Sequence, residues 1–374
     1  MEMTKARAWR ELNQAALRHN VKILQEALAP GCRLMAVVKA DAYGHGAIPV
    51  ARYLQAQGVE AFAVACLSEA AALREAGIEG KILILGYTPP QLAPELSRYR
   101  LIQTVADEAH GLALERQGIP LSVHLGLDTG MHRLGIPAED RQALSRIYAC
   151  KHLRIQGVFS HLCVADGTSA RDIAFTRAQL DAFYAAVDWL RRHGMDPGEI
   201  HIQCSAGILQ LPPQPCAWAR AGIALYGVAP GTLSERAGML RPVLSLRARI
   251  ASVRTLLPGQ GAGYGLEFLA ARQTRLATVT IGYGDGLPRC LPQRGGEVLL
   301  HGRRFPMVGR MCMDQLLVDV TDAGEAAPGD VVTILGQDGA ETISAAGIAA
   351  QCGTIPNELL SRLEPRLPVV ERMD

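Results

Sequence analysis

Lys39 closes the apolar run Leu34-Met35-Ala36-Val37-Val38 and opens a polar, glycine-punctuated loop, Ala40-Asp41-Ala42-Tyr43-Gly44-His45-Gly46. Such a run reads as a buried parallel strand. An amine emerging from its carboxyl end is partly desolvated, which lowers its pKa and frees the nucleophile. A single lysine is weak grounds, because strand-end lysines mostly snorkel to solvent, so the assignment depends on its company. Tyr43 lies where Gly44 and Gly46 let backbone approach a ligand, and its hydroxyl suits an anion. Cys204-Ser205-Ala206-Gly207 and Arg220-Ala221-Gly222-Ile223 are turns of the kind that hold phosphate: N–H groups at a short helix start face the anion, and Ser205 adds a hydroxyl. Arg133, at the end of Asp128-Thr129-Gly130-Met131-His132-Arg133, carries a fork suited to a carboxylate or phenolate oxygen. His161 is placed to stack on a flat ring or to hydrogen-bond Arg220. Tyr264 and Tyr283 sit in Gly261-Ala262-Gly263-Tyr264-Gly265 and Gly282-Tyr283-Gly284-Asp285-Gly286, with no apolar period to bury them. Cys312 has no histidine close in sequence and reads as a buried thiol rather than a nucleophile.

Positioning these groups requires strands that end together. Up to about residue 235, short apolar strands alternate with helical segments, at 34–38, 61–65, 82–85, 101–105, 121–125, 155–159 and 200–203. Residues 216–220 supply an eighth strand after Pro212, Pro213 and Pro215. Eight βα repeats predict a closed, TIM-like (β/α)8 barrel, an α/β fold whose active sites lie at the carboxyl ends of the strands. The spacing predicts a helix over 68–77, with Ser68 as N-cap and Gly77 at its end, and another from about Arg171 to His193. Beyond Pro230-Gly231 the pattern changes to strands near 244–253, 276–281, 298–301, 313–320 and 331–335, without long helices between them. Two domains are expected, a barrel over 1–235 and a mostly β domain over 236–374.

Composition narrows the partners. A 374-residue chain with 49% hydrophobic residues can bury a large core. Its net charge of +2 and lack of long charged runs give no reason to expect nucleic acid or an anionic membrane surface. No apolar stretch approaches a membrane span, and Met1-Glu2-Met3-Thr4-Lys5 lacks a leader's apolar core. Nine cysteines without metal-ligand spacing read as thiols in a reducing compartment, with no metal site. The expected location is the cytosol, either as a free protein or as the cytosolic domain of a longer, tethered one.

The motifs AVVKADAYGHG, DTGMHRLG, RAGIALYG, GYG, GRMCMDQ and PGDVV, in this order over nearly the whole chain, closely resemble the alanine racemase family. The resemblance implies pyridoxal 5′-phosphate (PLP) carried on Lys39, and a homodimer whose active site combines one subunit's barrel with the other's β domain. It further implies that Tyr43, Ser205, Gly222 and Ile223 hold the cofactor phosphate, that Arg220 faces the pyridine nitrogen, and that Arg133 contacts the phenolate oxygen. An always-protonated arginine gives the ring no full proton, so the electron sink is restrained, which suits a racemase. Lys39 and Tyr264 of the partner subunit are then the two acid/base groups, for the D- and L-faces respectively. Met313 of the partner subunit, through its backbone, would meet the substrate carboxylate, and Tyr283 would line the entrance.

Two departures stand out. The family often has a carbamylated lysine two residues before DTGM, where this chain has Gly126. The family also typically has a tyrosine where Asn357 stands, in Gly353-Thr354-Ile355-Pro356-Asn357-Glu358. A carboxamide there opens volume beside Cβ and offers both a donor and an acceptor, which suits a hydroxymethyl side chain. That replacement resembles the serine/alanine racemase domain of vancomycin-resistance systems. It implies that L- and D-serine are interconverted alongside alanine to supply peptidoglycan precursors. The alternatives are a plain alanine racemase, a PLP-dependent decarboxylase and a non-enzymatic PLP carrier. Tyr264, Arg220 and the β domain weigh against the last two.

Overall fold

The computed structural model describes residues 5–231 and 234–373. Met1–Thr4, part of the stretch expected to lack a leader's apolar core, lie outside the described residues, as do Thr232, Leu233 and Asp374. Two compact units are present. Of the described residues, one comprises those within 18–42 and 47–240; the other comprises 5–17, 43–46 and 241–373.

In the first unit, parallel strands Arg33–Val37, Ala61–Val64, Lys81–Ile84, Ile102–Val105, Leu121–Asp128 and Leu153–Phe159 pair in sequence order. Trp218–Ala221 pairs back onto Arg33–Val37. The stave expected over 200–203 is not a continuous ladder. A single bridge joins His201 to Phe159. On the other side, Ala217 N donates to Ile200 O (2.9 Å) and Arg220 N to Gln203 O (3.0 Å). These bonds close the ring of eight; the stave is short because the chain has just turned through Gly198 and enters a helix at Ser205. Met35 and Leu83 are buried on the strand face that carries Arg220 and His124, Phe62 and Val123 on the opposite face, and helices including Ala170–Arg192 complete the α/β repeats.

One expected helix is corrected at its start. It spans Leu67–Glu75, with Cys66 and not Ser68 at the cap position. Glu69 turns back instead: its two carboxylate oxygens accept from Ala65 N and Ala40 N, both at 2.7 Å.

The second unit is built on the long strand Leu244–Leu256. Its flanks pair antiparallel with Thr274–Val279 and Val331–Asp338. The ladder continues from Val331–Asp338 through Glu297–Leu300, Arg303–Val308 and Leu316–Asp319 back to Thr274–Val279, closing a six-stranded antiparallel barrel. Two strands absent from the sequence reading extend it, Ala8–Asn13 and Val369–Arg372. The first of these places the chain's opening residues with the β unit rather than with the barrel, because Arg10 is registered between Leu246 and Val369. Residues 43–46 join the same unit. Buried Arg10 donates from NH1 to Gly44 O (2.9 Å), and Gly44 lies so close to Leu360 O that a Cβ there would overlap it.

Candidate active site

Lys39 follows the first barrel strand directly, and the backbone beyond it is unusual. Ala40, Asp41, Ala42 and Tyr43 all have φ between +50° and +54°, and Gly44 follows at +74°. This is a turn of left-handed helix, which costs L-residues roughly 1–2 kcal/mol apiece. Several bonds hold it. Ala42 N donates to Val38 O (2.9 Å), Ala47 N to Asp41 Oδ1 (2.7 Å), and Ala40 N to Glu69. The strand itself is anchored by buried Tyr226, whose hydroxyl donates to Val37 O (2.9 Å). Strain of this kind persists where the surroundings over-determine it, commonly at functional sites. The Lys39 amine has its pKa lowered, first by burial, then by the nearby Arg133 and Arg220 guanidinium groups; Glu69 opposes them.

Arg220, fully buried, is the centre of the site's polar interior. NH2 donates to Ser160 O (2.7 Å) and meets His161 Nδ1 (3.3 Å), while NH1 meets His201 Nδ1 (2.5 Å). Its Nε has no acceptor among the described residues. Burial pushes the guanidinium down to about 10, so it stays charged at neutral pH. His161 is pushed down to about 3 by burial and by the charges of Arg220, Arg133 and Lys39; it is a neutral ring. Sequence reading reached His161 but missed His201 and His124, which continue the chain inward. The signal was present: polar residues at alternate positions of apolar strands, His201 with Gln203 and His124 within Leu121–Leu127.

Ser205 opens the helix Ser205–Gln210 and is buried. Its Oγ accepts from Gly222 N (2.9 Å) and Ala224 N (3.3 Å), leaving the hydroxyl proton to donate outward. Thus the Gly222 amide, expected on a phosphate, is engaged by Ser205. The turn Ile223–Tyr226 begins without a side-chain cap, as does the Ser205 helix. Arg133 is exposed and makes no ion pair or hydrogen bond among the described residues. Gly126 is buried, and a Cβ there would already lie 3.4 Å from Gly135 Cα and Val105 O.

The remaining residues belong to the β unit. Tyr264 stands on a short turn between Gly263 (φ +74°) and Gly265 (φ +71°) and is 65% exposed. Tyr283 and Met313, 37% and 54% exposed, are brought together by backbone: Tyr283 N donates to Cys312 O (3.1 Å) and Gly284 N to Met313 O (2.8 Å). Buried Asp285 fixes that corner, accepting from Gly282 N (3.0 Å) and pairing with Arg7 (2.6 Å) and Arg366 (2.7 Å). Asn357 is half-buried in the helix Pro356–Ser361, three residues before the Leu360 carbonyl that abuts Gly44. Its amide makes no side-chain hydrogen bond among the described residues. Cys312 is half-buried and, like the other eight cysteines, a free thiol. No helix among the described residues is long and apolar enough to cross a membrane.

A parallel barrel with a desolvated lysine at one strand end, a buried arginine beside it and a separate β unit defines a PLP enzyme of the barrel type. Family profiles agree: the alanine racemase N-terminal domain matches residues 12–230 and the C-terminal domain residues 243–371. An amino-acid racemase of Enterococcus faecalis is 41% identical over 98% of this chain but 52% of its own length, so the chain spans about half of that relative. Alanine racemase of Desulfovibrio desulfuricans is 40% identical over 97% of both chains. The solved alanine racemase of Clostridium difficile 630 superposes with a TM-score of 0.91 at 31% identity, covering 100% of this chain and 97% of that one. The chain belongs to the alanine racemase family and is a PLP-dependent racemase, an isomerase. The residues present fit the cofactor: an amine with lowered pKa, an unengaged Arg220 Nε for a ring nitrogen, and the Ser205 hydroxyl between two uncapped helix starts for a phosphate.

Proposed function

We propose that the protein interconverts L- and D-alanine by a two-base route, with Lys39 and Tyr264 of the partner subunit on opposite faces of Cα. The observation that carries this reading is the pairing of a desolvated lysine with a buried guanidinium in place of an acid at the ring-nitrogen position. Bound PLP supplies an electron-withdrawing ring that acidifies the Cα–H bond. Arg220 donates a hydrogen bond there and no proton. This restraint favours proton exchange over transamination or elimination. Lys39, its proton affinity lowered by burial, serves the D-face, and Tyr264 of the partner subunit the L-face. Tyr43, Ser205, Gly222 and Ile223 form the phosphate cradle, with the Gly222 amide acting through Ser205. Arg133 orients the phenolate oxygen, and His161 braces Arg220. Met313 of the partner subunit receives the substrate carboxylate, and Tyr283 of the partner subunit borders the entrance. The homodimer is supported by the exposure of Tyr264, Tyr283 and Met313 on the β unit, which leaves them open to a second barrel. D-alanine made this way would serve cell-wall precursors.

Full-length similarity to alanine racemases supports alanine as substrate. A second reading, acceptance of serine, is favoured by Asn357, whose unengaged amide can pair with a substrate hydroxyl. Chiral analysis of L-alanine and L-serine turnover tests both. Absence of D-alanine rejects the first reading. Asn357→Tyr should lower the serine-to-alanine ratio about tenfold, the worth of one buried hydrogen bond; an unchanged ratio removes the second.

A further inference from the structure

Inward of Arg220, two imidazoles take no part in the proposed reaction. His201 Nδ1 lies 2.5 Å from Arg220 NH1, and His201 Nε2 lies 2.8 Å from His124 Nδ1. Both rings are fully buried, and His201 stacks flat on Phe159 with centroids 4.8 Å apart. The direction of the chain follows from the chemistry of its ends. A guanidinium only donates, so His201 Nδ1 carries no hydrogen, and the neutral ring holds its proton on Nε2. That N–H donates to His124 Nδ1, which leaves the proton of His124 on Nε2.

This last N–H is buried and has no acceptor among the described residues. Room for it comes from Gly157, where a Cβ would lie 2.7 Å from His124 Nε2. The charged groups facing the pair are Arg220 on one side and the Glu199–Lys81 ion pair (2.5 Å) on the other. Glu199 favours protonation of His124, Lys81 and Arg220 oppose it, and burial keeps both rings neutral.

We propose that His124 is a positioning residue for the ring-nitrogen site: by accepting from His201 Nε2–H it anchors the His201 ring in the orientation that receives Arg220, and so holds Arg220 with Nε toward the cofactor. The inference rests on Arg220 facing the ring nitrogen, as in the proposed function. The chain runs one way and ends on a donor. It braces a charge and is no proton path, because relay would require the guanidinium to give up a proton.

Nitrogen-15 spectra of histidine-labelled protein, with and without PLP, read the tautomers directly. In the wild-type chain both His201 and His124 should be Nε2–H tautomers, unchanged across neutral pH. In His124→Leu, the His201 Nε2–H signal should shift as it loses its acceptor, even without cofactor, and the absorbance of bound PLP should shift. Its kcat should fall about tenfold, the factor matching one weakened hydrogen bond from Arg220 Nε of roughly 1.4 kcal/mol, with KM nearly constant. His124→Asn, which restores an acceptor oxygen near the place of Nδ1, should recover all three. An unmoved His201 Nε2–H signal or an unmoved absorbance in His124→Leu would overturn the proposal and leave the racemase reading standing. An Nδ1–H tautomer at either ring of the wild type would overturn it without any variant. Failure of wild type to bind PLP, with the tautomers as described, would overturn the site reading and this inference together.

Discussion

Gly44 ends the strained turn after Lys39 and packs against Leu360, and replacing it with alanine probes both strain and packing. At φ +74° an alanine pays roughly 1–2 kcal/mol, of which about 0.4–1 kcal/mol is returned through a less flexible unfolded chain. The added Cβ would also overlap Leu360 O, a backbone atom that cannot rotate away. Overpacking of that kind costs roughly 1–3 kcal/mol more, for a total of about 1.5–4 kcal/mol. Gly259→Ala is the matched control: φ is +84° in the same unit, and nothing lies within 4 Å of the new Cβ. It should lose only about 0.5–1 kcal/mol. Urea unfolding of both variants measures the difference, and PLP titration follows its consequence. Relief of the overlap must shift residues 43–46, and with them the loop that carries Lys39 and Tyr43, so cofactor affinity should fall in Gly44→Ala and hold in Gly259→Ala. Equal loss of stability in the two variants would refute the argument that Leu360 packs against the turn.

Acid should weaken the fold early. The pKa of His124 is lowered to about 3, and that of His201 lies well below its ordinary value, both by burial, whereas unfolded histidine titrates near 6.5. Below about pH 6.5 the unfolded chain therefore binds protons that the folded one refuses, and each ring removes roughly 1.4 kcal/mol of stability per pH unit. Urea midpoints taken at neutral pH and about one unit below 6.5 should differ accordingly; a flat profile would contradict neutral buried rings. Arg133→Leu should raise the Lys39 pKa, because it removes the larger of two positive neighbours. The pH midpoint for PLP attachment to the apo-protein should move upward, and a fixed midpoint would place Arg133 away from Lys39.

Much of the barrel was legible because its strands are short, apolar and bounded by glycine and helical periods. The segment 200–203 has the same apolar pattern as the other strands, yet only its pairing with two neighbours reveals it as a single-bridge stave. The helix start at Leu67 differs from the expected one because Glu69 accepts locally from Ala65 N and, across 29 residues, from Ala40 N, a bond that no local cap rule contains. Ala8–Asn13 escaped notice for a related reason: its partners lie more than 200 residues away.

The sequence by itself determined the residue types and their order: Lys39 after a buried strand, Arg220 and Ser205 in glycine turns, Tyr264 and Tyr283 flanked by glycines, Asn357 in place of a tyrosine. Side-chain chemistry and local periodicity are properties of the chain. Only the tertiary structure decided what those groups meet. It turned four L-residues left-handed after Lys39, committed the Gly222 amide to Ser205, and lined His124 and His201 behind Arg220. Hydrogen-bond direction and burial depend on atoms far apart in sequence, and it is these that make Lys39 a poor proton holder and Arg220 a fixed charge.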